Sequence, residues 1–232
     1  MRARVHTRVR ARVHACARGR AAVSVALVFQ LLDHAGVFFF AFSGGMIAAR
    51  KSLDPFGAAI VGAAAGMGGG TLRDILLGQL PVYWVDAPEY LAIAVAGALT
   101  GYYGSTLLST GTGARRAALA WADAVGLSVF CVLGAQAGLA AGAHWAIAIL
   151  TGVMTAAFGG LVRDVLVNDV PLVLREEIYA LAALAGAAAY VAALALALPA
   201  GASAVGAALL AFAIRAAAMR FGWTLPSIGR ID

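Results

Sequence analysis

The chain contains seven stretches of about 20 mostly apolar residues, each long enough to cross a bilayer as a helix. They lie near residues 28–49, 56–78, 89–109, 118–139, 144–166, 177–198 and 202–221, and the connections between them are short. Hydrophobic residues make up 62% of the chain and charged residues 12%, about half the charged share of a soluble domain. A soluble monomer of 232 residues keeps too much surface per unit volume to hide so many apolar side chains. The reading is an all-α integral membrane protein. Soluble enzyme, secreted disulfide scaffold and disordered chain are excluded together. Cys16 and Cys131 are far apart in sequence and read as small hydrophobes.

A formal charge of +6 suggests a nucleic-acid partner until the charges are located. Arg2, Arg4, Arg8, Arg10, Arg12, Arg18 and Arg20 supply seven of the seventeen basic residues, and residues 21–232 carry ten basic against eleven acidic groups. The high charge therefore belongs to a tail, residues 1–22, and no nucleic-acid partner is expected. Such a tail fits an arm for anionic lipid, a targeting segment, or sequence upstream of a start at Val23, Val25 or Val28. The last is the expectation, with the tail disordered or non-native. Arg50-Lys51, Arg115-Arg116, Arg175 and the terminal Arg215, Arg220 and Arg230 fall at alternate ends of the spans, whereas residues 79–88, 140–143 and 199–201 hold no Lys or Arg. The positive-inside rule puts the first set in the cytoplasm, with the N-terminus outside and the C-terminus inside. Tyr83 and Trp84 suit an interfacial aromatic belt.

Sliding the sequence against itself by 90 residues aligns two halves without a gap over about fifty positions. Asp33, Gly36, Phe40 and Gly44 fall on Asp123, Gly126, Phe130 and Gly134; Gly62, Gly69, Gly70, Arg73, Asp74 and Pro81 fall on Gly152, Gly159, Gly160, Arg163, Asp164 and Pro171. Residues 28–110 thus form one three-helix repeat and residues 118–198 a second. An odd number of spans inverts the second copy in the membrane, and inverted repeats place a substrate or ion path between corresponding broken or glycine-interrupted helices. Residues 202–221 form a seventh span outside the repeat, suited to packing or assembly, and residues 222–232 a C-terminal tail.

The second span carries Gly68-Gly69-Gly70-Thr71-Leu72-Arg73-Asp74 and the fifth carries Phe158-Gly159-Gly160-Leu161-Val162-Arg163-Asp164. Ala58, Gly62, Gly66 and Gly70 also form a four-residue stripe that lets helices approach closely. Three consecutive glycines exceed what a stripe needs, since each costs about 0.5–1 kcal/mol against alanine in a helix. The expectation is a bend at each glycine run, opening backbone groups toward a wet cavity. Arg73, Asp74, Arg163 and Asp164 then sit inside apolar spans, where charge is costly and functional. Neighbours point about 100° apart on a helix, so the repeat axis is expected to offer Asp164 to Arg73 and Asp74 to Arg163. Two crossed structural braces are the alternative.

Nothing reads as an enzyme. The glycine run lacks the lysine of a phosphate loop, His34 and His144 have no partners at metal-ligand spacing, and no cofactor is implied. Asp33 and Asp123 fit either helix-end contacts or cation sites at a pore mouth. Tyr102, Tyr103, Tyr179 and Tyr190 fit packing or the interface better than gates.

The run from Gly68 to Gly78, its echo from Phe158, the Phe42-Ser-Gly-Gly segment before Arg50-Lys51, and Pro171 to Tyr179 resemble bacterial members of the trimeric intracellular cation channel family. The likeness covers about residues 28–225. It implies a homotrimer in membrane lipid, in the bacterial inner membrane. Each subunit would have its own pore between the bent second and fifth helices and pass monovalent cations, potassium foremost and sodium besides. The resemblance puts Gly68, Gly69, Gly70, Thr71, Arg73, Asp74, Phe158, Gly159, Gly160, Arg163 and Asp164 on the ion path. The same family also bears the label of a glycine transporter, so a carrier of a small amino acid is the alternative. The second copy departs from the first at Phe158 for Gly68 and at Asn168-Asp169 for Gly78-Gln79, which implies two unequal halves.

Overall fold

The computed structural model describes residues 2–107, 112–175 and 177–223, with side chains from Val25 onward except at 106, 112, 175 and 177. The described residues form helices and no strands: α1 (Arg2–Arg50), α2 (Pro55–Leu76), α3 (Tyr83–Asp86), α4 (Glu89–Leu107), α5 (Thr112–Ala140), α6 (Trp145–Leu166), α7 (Leu172–Arg175), α8 (Glu177–Ala195) and α9 (Ala200–Phe221). Five helical segments are long and apolar enough to cross a membrane: Val25–Arg50, Gly113–Ala140, Trp145–Leu166, Ile178–Ala195 and Ala200–Phe221. The chain is an all-helical membrane protein. α2 and α4 cover the other two expected spans and are not among these five. α1 extends back through the Arg-rich tail, whose side chains lie outside the described residues. The Arg175 side chain and Arg230, two of the charges that orient the chain, also lie outside them.

Local chemistry sets the helix ends. Asp54 caps α2 by accepting the Gly57 amide at 2.7 Å, with Pro55 in the first turn. α2 and α6 close alike: the Gln79 amide bonds back to Asp74 O and the Asp169 amide to Asp164 O, both at 2.8 Å. That closure needs a left-handed residue, supplied by Gly78 (φ 66°) and Asn168 (φ 54°). The Gly78 to Asn168 difference therefore preserves the backbone, because asparagine tolerates this region better than most side chains.

The core is assembled from reciprocal contacts between positions 90 residues apart. The Phe40 and Phe130 rings stack at 5.4 Å. A methyl on Gly36 would meet Phe130 at 3.1 Å, and one on Gly126 would meet Phe40 at 2.7 Å. α1 packs on α2, α4 and α5; α5 packs on α6, α8 and α9; α2 crosses α6. α9 lies against the second half, where Gly186 leaves room for Ala211.

The glycine runs do not break the helices. α2 and α6 run as uninterrupted helices through residues 68–70 and 158–160, and none of these glycines has positive φ. The glycines serve a close crossing instead. A Cβ on Gly69 would be driven into the Thr155 carbonyl, and a Cβ on Gly159 into the Ala65 carbonyl, two clashes related by the same offset of 90. Backbone against backbone leaves no room for a side chain or an ion at that point.

Candidate functional site

The expected site residues separate into three environments around the α2–α6 crossing. Gly69 and Gly159 are the seam itself. Gly70 admits the Tyr83 ring, which a Cβ would meet at 2.6 Å, and Gly160 admits the Tyr179 hydroxyl and Asp123 carboxylate, at 3.1 and 3.5 Å from such a Cβ. Gly68 is open, with its nearest neighbours at 3.9 Å. Together with Thr71 and Phe158 it lines an apolar cavity of about 400 Å³. Thr71 is turned by Trp84, whose indole N–H donates to its hydroxyl at 3.0 Å, while the hydroxyl donates to Met67 O at 2.8 Å.

The second environment is the pair of Arg-Asp steps, and here the crossed pairing fails. Arg73 Nε and Nη2 reach Asp74 Oδ1 at 2.8 and 2.7 Å, and Arg163 Nε reaches Asp164 Oδ1 at 2.8 Å. Each arginine thus pairs with its own neighbour, because a three-carbon stem lets the guanidinium swing round the helix to a carboxylate held still from its other side. The free Oδ2 of Asp74 accepts the Tyr83 amide at 2.9 Å, and that of Asp164 accepts the Leu172 amide at 3.0 Å. These are the first residues of α3 and α7, so each carboxylate fastens the returning chain to its helix end with charge-assisted bonds.

Beyond this shared clasp the two copies diverge. Arg163 is wholly buried and sends Nη1 to Asp123 Oδ1 at 2.6 Å and to the Ser43 hydroxyl at 2.7 Å, joining α6, α5 and α1. Tyr179, also buried, packs there with the Arg215 guanidinium 5.3 Å above its ring. Arg73 instead lies over the Tyr83 ring at 5.5 Å and faces a cavity of about 340 Å³ that includes Asp33, Gln30, Gln79, Tyr90 and Gln136. Burial raises the Tyr83 phenol well above its ordinary pKa, and the Asp33 charge adds to the shift, so the ring beside Arg73 stays neutral. Asp33 accepts the Tyr90 hydroxyl at 2.8 Å. Asp33 and Asp123 are therefore not equivalent: one borders a cavity and the other is locked in an ion pair. Asp169 differs from Gln79 in charge and binds Lys51 at 2.7 Å and Arg50, tying the end of α1 to the α6–α7 connection.

Of the expected tyrosines, Tyr179 and Tyr190 are core, Tyr102 donates to Leu53 O at 2.8 Å, and Tyr103 is exposed. His144 caps α6 through its ring nitrogen, and His34 stands edge-on to Tyr90. Sequence reasoning missed Ser43, Tyr90 and the three glutamines. Gln30 and Gln136 carried a signal, since a carboxamide inside an apolar run needs a polar neighbour.

Comparison with known proteins places this geometry among relatives. A family profile described as "Glycine transporter" matches residues 30–106 and again 120–195. A UPF0126 membrane protein of Vibrio cholerae is 36% identical over 220 residues, covering 92% of this chain and 88% of that one. The UPF0126 inner membrane protein YadS of Escherichia coli is 39% identical over 155 residues, covering 67% and 73%. Among solved structures, the TRIC trimeric intracellular cation channel orthologue from Rhodobacter sphaeroides superposes with a TM-score of 0.80 at 42% identity, over 84% of this chain and 99% of that one. A prokaryotic TRIC channel crystallised in 0.5 M KCl superposes with a TM-score of 0.79 at 32% identity, over 86% and 100%.

Proposed function

The chain belongs to the trimeric intracellular cation channel family, and on that premise we propose that it is a channel for monovalent cations, chiefly potassium. The observation that carries this reading is the likeness at 42% identity to a TRIC channel over nearly that channel's whole length. In this reading seven helices cross the inner membrane of a bacterium, α1, α2 and α4 forming one repeat and α5, α6 and α8 its inverted copy. Three subunits assemble, and each has its own path beside the α2–α6 crossing. The N-terminus is outside and the C-terminus cytoplasmic, as the distribution of Arg and Lys favours.

The path is shut in this conformation. The Gly69–Thr155 and Gly159–Ala65 contacts seal the crossing, and the Arg163–Asp123–Ser43 cluster fills one end of the bundle. The Asp33 cavity remains at the other end. Opening then requires α2 and α6 to separate at the seam, where glycine meets carbonyl. Single-protein recording in planar bilayers under a potassium gradient tests the proposal. Discrete ohmic current steps are expected. Slow, saturable flux without steps would replace the channel by a carrier.

A further inference from the structure

Asp33 and Asp123 match in sequence, 90 residues apart, yet among the described residues only Asp123 is held in an ion pair. Asp123 is 1% exposed and takes the Arg163 guanidinium at 2.6 Å. Asp33 takes a neutral phenol hydroxyl, and no ion pair among the described residues includes it. Arg73, the counterpart of Arg163, is already paired with Asp74 at 2.7 Å. Asp33 instead borders a cavity of about 340 Å³, which Arg73 lines as well.

The chemistry of that cavity is specific. Asp33, Asp74 and Arg73 together sum to one negative charge, and a net charge inside an apolar bundle is costly to keep. The Tyr90 hydroxyl and the carboxamides of Gln30, Gln79 and Gln136 add neutral oxygens around the same space. Carboxylate, hydroxyl and carbonyl oxygens are the donors that hard cations take, and one net charge matches a monovalent ion. The volume admits such an ion with part of its water.

We infer that the Asp33 cavity is a binding site for a small monovalent cation, with Asp33 as its charged ligand, and that the Arg163 guanidinium occupies the matching place in the second copy. The channel reading bears only on the conductance arm of the test; the binding arm stands apart from it.

The binding arm measures the thermal midpoint of the purified full-length protein, in KCl against N-methylglucamine chloride at constant ionic strength, with and without glycine. A ligand that binds the native state raises the midpoint with its concentration. Potassium is expected to raise it saturably in the wild type and in Asp33→Glu, and to leave Asp33→Asn unmoved. The conductance arm compares wild type with Asp33→Asn. One charge about 7 Å from a passing ion in water changes local cation concentration roughly threefold. Unitary conductance should thus fall about threefold near 10 mM potassium and converge near 1 M, where the screening length is about 3 Å. A potassium response that is absent from the wild type, or unchanged in Asp33→Asn, overturns the site even if currents are recorded. An Asp33-dependent potassium response without unitary currents supports the site and overturns the channel. An Asp33-dependent response to glycine in place of potassium overturns the cation assignment in favour of an amino-acid site.

Discussion

At the scale of single residues, Arg73 and Arg163 show how one motif acquires two roles. Both hold the aspartate that follows them, and both aspartates anchor a short return helix. Only Arg163 is enclosed, at 0% side-chain exposure against 11% for Arg73. Removing one partner of a buried pair leaves an uncompensated charge and costs about 3–5 kcal/mol. Arg163→Ala is therefore expected to lower the thermal midpoint of the purified protein more than Arg73→Ala, whose aspartate lies beside a cavity. Double-variant cycles supply a sharper check. Arg163→Ala with Asp123→Asn should be non-additive by about 0.5–3 kcal/mol, whereas Arg73→Ala with Asp164→Asn should be additive. Coupling in the second cycle would restore the crossed pairing that the coordinates reject. The sequence singled out these charges, because charge in an apolar span is expensive wherever it points. Partner choice was illegible, since it depends on rotamers and on which backbone amides the return segment delivers.

At the scale of the helix, the glycine run divides into positions with different duties. Gly69 and Gly159 meet carbonyl groups across the seam, and Gly68 meets open space. Gly69→Ala should cost about 1–3 kcal/mol through overpacking. Gly68→Ala should be neutral or stabilising by up to about 1 kcal/mol, because alanine is the better helix former. Denaturation of the two variants in detergent, followed by circular dichroism, compares them directly, and equal losses would mean that the seam is looser than its geometry. The small-residue stripe was legible as a packing device from its spacing of four. The glycine run does not interrupt the helix, and consecutive glycines also arise when two faces of a helix must approach different neighbours. Gly69 faces α6 and Gly70 faces the Tyr83 ring, so adjacent positions serve adjacent directions.

At the scale of the whole molecule, the exposed surface is apolar: Phe56, Ile60, Leu150 and Leu209 are each more than half exposed. Lipid and neighbouring subunits are the surroundings that suit it. Mass measurement of the protein released from native-like membranes is expected to give three chains, and a stable monomer with full conductance would contradict the trimer. Orientation is checked with single cysteines at exposed Ser52 and Gln79, in a Cys16→Ser background that keeps the buried Cys131. A membrane-impermeant maleimide applied outside intact cells should label Gln79→Cys and spare Ser52→Cys. The reverse pattern would invert the bundle.

The sequence by itself determined the solvent, the helical class and the duplication. Each of these follows from composition or from periods along the chain: apolar stretches of bilayer length, an offset of 90, small residues every four. Only the tertiary structure decided that matching residues differ in state. Asp33 and Asp123 sit in equivalent sequence contexts, yet α6 delivers a guanidinium to one and α2 withholds it from the other. An internal repeat specifies two similar halves, but the way they pack on each other, with α9 mainly against the second half, is fixed by long-range contacts that no local pattern encodes.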